Sequence, residues 1–418
     1  MLGLVGENWW TPACDRAEVP YQKLPAATQG NPYSASVADR ARVGPQWFQS
    51  IRRHGIESIL DNGGAGMAFV PVSPGEQQMH LLHEAAGVRL ASHLIDPVVT
   101  VFQSMPWPAV WQALQSRSWF KFIWDKPQAR ELAEFGVPNV HYLPMAALDR
   151  DYDTSPVDSA SLSCAVSFVG GQNSTYFDPG RVTPTAALLP AIIASAVRTG
   201  MPESSFFDTY FHLYQLAPLP TGHEDPQTTA GRVAEYFQHR LFYNASQCIQ
   251  QRDRYVVFLK RRMADAFTLI GDRWTTAYGL DARPPLPTTE QYLEHIRHTA
   301  VNLNFVNGNS DSGLNMRHFE ITAAGGFMLC NHMPEIDEHF EVGRECDTFR
   351  TEQELLQKLE FYLDRPQRRA EIARAGQQRT LDHHLYSHRL DAIHRHLRTV
   401  TVCRPVTDPA PQRAMVAQ

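Results

Sequence analysis

The stretch from Asn304 to Asn331 brings together several residue types that handle anions. It reads Asn-Leu-Asn-Phe-Val-Asn-Gly-Asn-Ser-Asp311-Ser312-Gly313-Leu314-Asn315-Met-Arg317-His-Phe-Glu320, then Ile-Thr-Ala-Ala-Gly325-Gly326-Phe-Met-Leu-Cys-Asn331. The pattern is strand, small polar loop, helix, Gly-Gly turn, strand. Small loop residues let the backbone approach a ligand closely. A helix starting near Leu314 would aim its free N–H groups and positive dipole end into that loop, where a diphosphate is the natural occupant. Arg317, on the first turn, can add a bidentate contact to phosphate oxygens. Glu320, one turn on, can accept two hydrogen bonds from the vicinal hydroxyls of a ribose. The plainer reading is an ordinary βαβ unit, with Asp311 or Ser312 as helix N-cap and Gly325-Gly326 as C-cap. The gathering of anion-binding devices at one strand end favours the first.

Other candidates follow other strands. In Gly271-Asp272-Arg273-Trp274, Trp274 is placed to stack on a nucleobase and Arg273 to meet phosphate; the alternative is a turn anchored by a buried Trp. Gly6-Glu7-Asn8-Trp9-Trp10 offers a carboxylate and two aromatic faces suited to a sugar or acceptor. Asp96 and His93, with Glu7, are the candidates for a catalytic base, a core histidine being the simpler reading of His93. Asp149-Arg-Asp151-Tyr-Asp153 holds two Asp-x-Asp strings, read here as a solvated linker with no metal. Gly63-Gly64-Ala65-Gly66 fails as a dinucleotide fingerprint, because the third small residue would fall at Phe69, and reads as a tight turn. His383, His384, His388, His394 and His396 lack a carboxylate to complete a zinc site and read as a solvated helix face.

The elements that must position these residues alternate in the manner of parallel α/β layers. Strands are expected near Leu2–Val5, Ser58–Leu60, Met67–Val72, Arg89–Ile95, Phe122–Trp124 and Val140–Leu143, with helices such as Arg42–His54 and Pro127–Phe135 between them. After the polar stretch Asp149–Pro156 a second alternating unit begins at Ala165–Val169. It resumes at Phe267–Ile270, Val301–Val306 and Phe327–Cys330, and ends in helices Glu352–Leu363, Pro366–Thr380 and Ser387–Val400. The expected division is 1–155, 156–400 and a tail, 401–418. Two doubly wound domains imply a cleft, with ligands at the carboxyl ends of the strands.

A net charge of −6 supplies no general field for nucleic acid. Six cysteines without a C-x-x-C pair fit a reducing compartment. No apolar run reads as a signal peptide or membrane span, so a soluble cytoplasmic protein is expected.

The run Asp311-Ser-Gly-Leu-Asn-Met-Arg-His-Phe-Glu-Ile-Thr-Ala-Ala-Gly-Gly-Phe-Met-Leu-Cys330 resembles the C-terminal domain of CgeB-like glycosyltransferases, a branch of the GT-B superfamily. The likeness continues in Pro334-Glu335, Phe340–Gly343, Thr348-Phe349, Glu352–Leu363, Pro366, Gly376 and Arg389. It is looser in Leu94-Ile-Asp96-Pro97, in Gly136-Val-x-Asn-Val-x-Tyr-Leu-Pro144 and in Ala165-Val-Ser-Phe-Val-Gly-Gly171. The resemblance implies two Rossmann-like domains facing across a cleft, the second holding a nucleoside-diphosphate sugar and the first an acceptor. Glu320 matches the second acid of an E-x7-E motif that binds the ribose. The first acid falls at Ser312, with Asp311 beside it. The donor set would be Gly271, Arg273, Trp274, Asp311, Ser312, Gly313, Leu314, Asn315, Arg317 and Glu320. The implied reaction is metal-independent sugar transfer to a glycan, protein or small molecule, with no cofactor beyond the nucleotide-sugar. The rivals are an epimerase or phosphorylase on the same fold, a non-catalytic binding subunit, and a GT-A enzyme using Asp149–Asp153.

Overall fold

Apolar runs of four to six residues, buried on both faces, form parallel strands here because helices cover both sides of each sheet. The computed structural model describes residues 1–6, 9–28, 31–71, 79–157, 159–172, 206–207, 210 and 228–399. The chain divides into two units, Met1–Pro144 with Thr221–Gln238 and Tyr386–Gln418, and Met145–Pro220 with His239–Leu385.

In the first unit the strands are β1 (Leu2–Val5), β2 (Tyr21–Leu24), β3 (Ser58–Asn62), β4 (Phe69–Pro71), β5 (Met79–Leu81), β6 (Arg89–Leu94), β7 (Trp119–Ile123) and β8 (Val140–Tyr142). Six of them form a sheet in the order β2-β1-β3-β6-β7-β8, while β4 and β5 pair separately as an antiparallel hairpin. All five sheet pairings are parallel, for example Leu4 with Leu60 and His93 with Phe122. Helix Val37–His54 is opened by a capping box, in which Ser36 and Asp39 each take the other's backbone N–H, and closed by Gly55 in the left-handed conformation.

In the second unit β9 (Cys164–Val169), β10 (Phe267–Ile270), β11 (Thr299–Asn304), β12 (Met328–Asn331) and β13 (Asp347–Phe349) form an all-parallel sheet ordered β10-β9-β11-β12-β13. The order reverses between β9 and β11, which makes their carboxyl ends the switch point where such sheets open a crevice. Val166, Phe168, Val301 and Leu329 from the sheet pack with Val256, Leu355 and Ile372 from the helices. The fold is thus α/β, with parallel sheets in both units.

The division differs from the expected one in three places. It falls at Pro144, Thr221–Gln238 belongs to the first unit, and helix Tyr386–Thr399 returns to that unit. The physical reason is side-chain packing: Tyr386 meets Trp10 edge-on at 4.9 Å, and His396 lies 4.2 Å from the His141 ring. Among the described residues no helix is long and apolar enough to cross a membrane.

Candidate functional site

Three chain segments converge at Gly170, the residue that leaves β9. The first is Gly170-Gly171-Gln172 itself, tied down by Arg252, which donates to the Gly171 carbonyl at 2.8 Å, and by Asp253, which accepts from the Gln172 amide. Arg252 and Asp253 belong to a π-helical segment, Ile249–Asp253.

The second is the loop after β10. Gly170 donates its N–H to the Ile270 carbonyl and Gln172 donates to the Asp272 carbonyl, so the two loops run backbone against backbone. A Cβ on Gly271 would lie 2.3 Å from the Gly170 oxygen, and its φ of 148° is one that side chains avoid. Only glycine allows this approach. Arg273 follows with φ 65°, exposed, its guanidinium 3.5 Å from the Asp272 carboxylate. Trp274 does not fit the expected stacking role. It is 0% exposed, packs on Phe168 and donates its indole N–H to the Gly170 carbonyl at 2.7 Å. It anchors the loop from beneath and presents no face to a ligand.

The third segment is the loop from β11 to helix Met316–Ala323. The helix begins two residues later than expected, with Asn315 at the N-cap, and no side chain caps its first N–H groups. Asp311 and Ser312 are not the cap. The Asp311 carboxylate accepts from Arg240 at 2.7 Å, with the two side chains 9% and 0% exposed, and the Ser312 hydroxyl donates to the Glu335 carboxylate. Ser310 donates to the Gly313 carbonyl, and Leu314 is buried. Asn315 bonds to Asn304 and His318. Asp311 and Ser312, expected to face the donor, instead fasten the loop.

Arg317 and Glu320 are placed differently. Both are half-buried. A Cβ on Gly170 would lie 3.3 Å from a terminal nitrogen of Arg317, so its guanidinium reaches the switch point. Its Nε donates to the Tyr292 hydroxyl at 3.3 Å. Among the described residues no carboxylate lies within ion-pair distance of it. Burial lifts the Glu320 carboxyl above the usual range, partly offset by Arg317, Arg150 and the Tyr292 hydroxyl. The sequence reading missed Tyr292 and Arg240, and named Glu335 only as part of the family likeness, because each meets the site from another element and no local spacing signals it.

In the first unit His93 is fully buried, its Nε2 3.0 Å from the Leu143 carbonyl and its ring against Trp10 and Tyr386. Burial, aided by Arg389, pushes its pKa down to about 3. It is a neutral core histidine and not the expected base. Asp96 stands in the loop after β6 and accepts from the Tyr33 hydroxyl at 2.8 Å. Glu7 lies outside the described residues.

Asp153 pairs with Arg297 at 3.0 Å. No group of three His, Cys, Asp or Glu side chains suited to a metal ion occurs among the described residues. The histidines expected on a solvated face are split: His384 is buried against Phe319 and Phe340, while His383 is exposed.

The chain has likenesses among solved structures and to one family model. No curated protein matches the chain. Among solved structures, sucrose-phosphate synthase from Thermosynechococcus elongatus is similar at TM-score 0.46 and 11% identity, covering 96% of this chain and 99% of that one. HepE from Anabaena, solved with UDP and glucose, is similar at TM-score 0.45 and 11% identity, covering 96% and 92%. Residues 252–395, roughly a third of the chain, match the model of a family described as glycosyl transferase-like, and that stretch takes in Tyr292, Arg317 and Glu320.

Proposed function

We propose that this chain is a GT-B glycosyltransferase of the CgeB-like kind, moving a sugar from a nucleoside-diphosphate sugar to a glycan, protein or small-molecule acceptor without a metal ion. The observation that carries this reading is Arg317. One of its terminal nitrogens lies beside Gly170 at the switch point, with no carboxylate in ion-pair distance among the described residues, one helical turn from a half-buried Glu320.

On this reading the diphosphate oxygens meet the Arg317 fork and the uncapped first-turn N–H groups of helix Met316–Ala323. As the sugar–oxygen bond breaks, negative charge grows on the departing diphosphate, where these fixed donors already point. They supply the positive charge that a divalent ion supplies elsewhere. Glu320 accepts from the ribose diol, and the exposed Arg273 stands on the neighbouring loop for a phosphate oxygen. Asp96, held by Tyr33, is the proposed base for an acceptor hydroxyl.

A thermal-shift panel of UDP, GDP, dTDP, ADP and CMP, with chelator or with manganese, tests the reading. One nucleoside diphosphate at a hundred times its dissociation constant is expected to add about 2.7 kcal/mol without metal. Glu320→Ala is expected to weaken that ligand about a hundredfold, measured by calorimetry. No shift with any nucleotide would overturn the donor site, and a shift only with manganese would overturn metal independence.

A further inference from the structure

Arg317 and Glu320 are three residues apart on one helix, a spacing at which opposite charges face each other on the helix surface. Direct pairing would turn each group towards the other and leave neither for a ligand. The ion pairs among the described residues do not include it. Instead Tyr292, from helix Thr289–Arg297, accepts from Arg317 Nε at 3.3 Å, and its hydroxyl also favours the charged form of Glu320.

We infer that Tyr292 is a positioning residue that keeps Arg317 and Glu320 apart and aims each at a different part of a nucleoside diphosphate; this rests on the proposed donor site. The chemistry follows from the valences. A phenol hydroxyl accepts with its oxygen and donates with its one proton. By accepting from Nε it occupies the side of the guanidinium away from the fork, leaving the two terminal nitrogens for phosphate. Its one proton is left to favour the charged Glu320 carboxylate, which the ribose diol would meet. Burial, reinforced by the charge of Glu320, raises the tyrosine pKa, so the hydroxyl keeps the proton it donates. The charged and titratable groups acting on Glu320 are Arg317, Arg150 and Tyr292 itself. Losing the Tyr292 donor would therefore make the carboxylate easier to protonate.

The test is Tyr292→Phe, which keeps the ring and removes the hydroxyl. Calorimetric titration of wild type and variant with the nucleoside diphosphate found in the thermal panel, across pH 4.5 to 8, gives two readouts. The variant is expected to bind about tenfold more weakly at neutral pH. The acid limb of its binding profile should also move to higher pH, a change that a structural role in the helix packing would not produce. Arg317→Lys removes Nε. In that background the Tyr292 substitution should cost much less, as a double-mutant cycle would show. Arg317→Lys by itself, which deletes the Nε donor and leaves Tyr292 intact, is expected to bind about tenfold more weakly, which keeps the question answerable if the Phe variant is poorly folded. Wild type that binds no nucleoside diphosphate would overturn the donor site itself. Wild type that binds, with a Phe variant unchanged in affinity and pH profile or with strictly additive effects, would overturn the role of Tyr292 alone.

Discussion

Each sheet places its third strand beside its first where the strand order reverses, and a glycine-containing loop leaves that third strand in both. In the first unit this is the loop after β3, residues 63–66, and it is filled by its own neighbours. Side-chain positions at Gly63 and Gly64 are taken by the rings of Tyr33 and Phe102. Arg40, 1% exposed, donates to the carbonyls of Ala35, Gly64 and Met67. Asp61 accepts from the Ser92 hydroxyl and the Gly66 N–H. In the second unit, after β11, the loop charge of Asp311 is likewise met from within, by Arg240. There, however, Arg317 and Glu320 stand beyond the loop with bonding capacity directed at neither each other nor another ion. The topology offers a crevice twice. What differs is access: Arg40 and Asp61 are closed in, whereas Arg317 and Glu320 are half-buried and within reach of the proposed ligand.

Arg40→Ala attacks the filled side of this contrast. It would leave carbonyls in a closed interior without their donor and cost about 4 kcal/mol. Chemical denaturation should show the loss, while nucleotide affinity of the folded fraction stays within about twofold. A fall in affinity to match would mean that the first loop is also a ligand site.

The buried carboxylate of Asp61 sharpens the contrast through pH. Burial raises it to about 6, against the ordinary 3.8, opposed by Ser92 and Gly66. The folded state therefore holds this proton more tightly than the unfolded state. Its contribution to stability is present below about pH 4 and is lost as pH rises through about 6, on the order of 3 kcal/mol in all. Asp61→Asn should remove that slope. An identical pH dependence of stability in wild type and variant would refute the assignment.

Ser312→Ala, in the second unit, should do least. It removes one hydrogen bond to Glu335 and should lower stability by about 1 kcal/mol, leaving nucleoside-diphosphate affinity nearly unchanged. A large loss of affinity would return Ser312 to the donor site.

The second sheet was legible in the sequence because its strands are short apolar runs flanked by polar or glycine-containing segments. Phe267–Ile270 and the helix Glu352–Leu363 have the bounds expected of them. β2 and β13 were missed: Tyr-Gln-Lys-Leu and Asp-Thr-Phe carry too few apolar residues to announce a strand, and pairing with a neighbour makes them one. That Arg317 and Glu320 share one helix could be read, because helical periodicity sets their spacing. Trp274 could not, since a tryptophan after a glycine turn serves equally as anchor or platform until its indole N–H finds a partner. Tyr292 is 25 residues from Arg317, and only the packing of two helices joins them.

The bond from Trp274 to the Gly170 carbonyl has an optical consequence. The chain has eight tryptophans, and Trp274 is the only one within Met145–Pro220 and His239–Leu385. Indole emission responds to the hydrogen bonding of its N–H. This ring is therefore a built-in fluorophore at the junction of the β9 and β10 loops, and a chain with its other tryptophans replaced by phenylalanine would report any displacement of Gly170 as a change of colour.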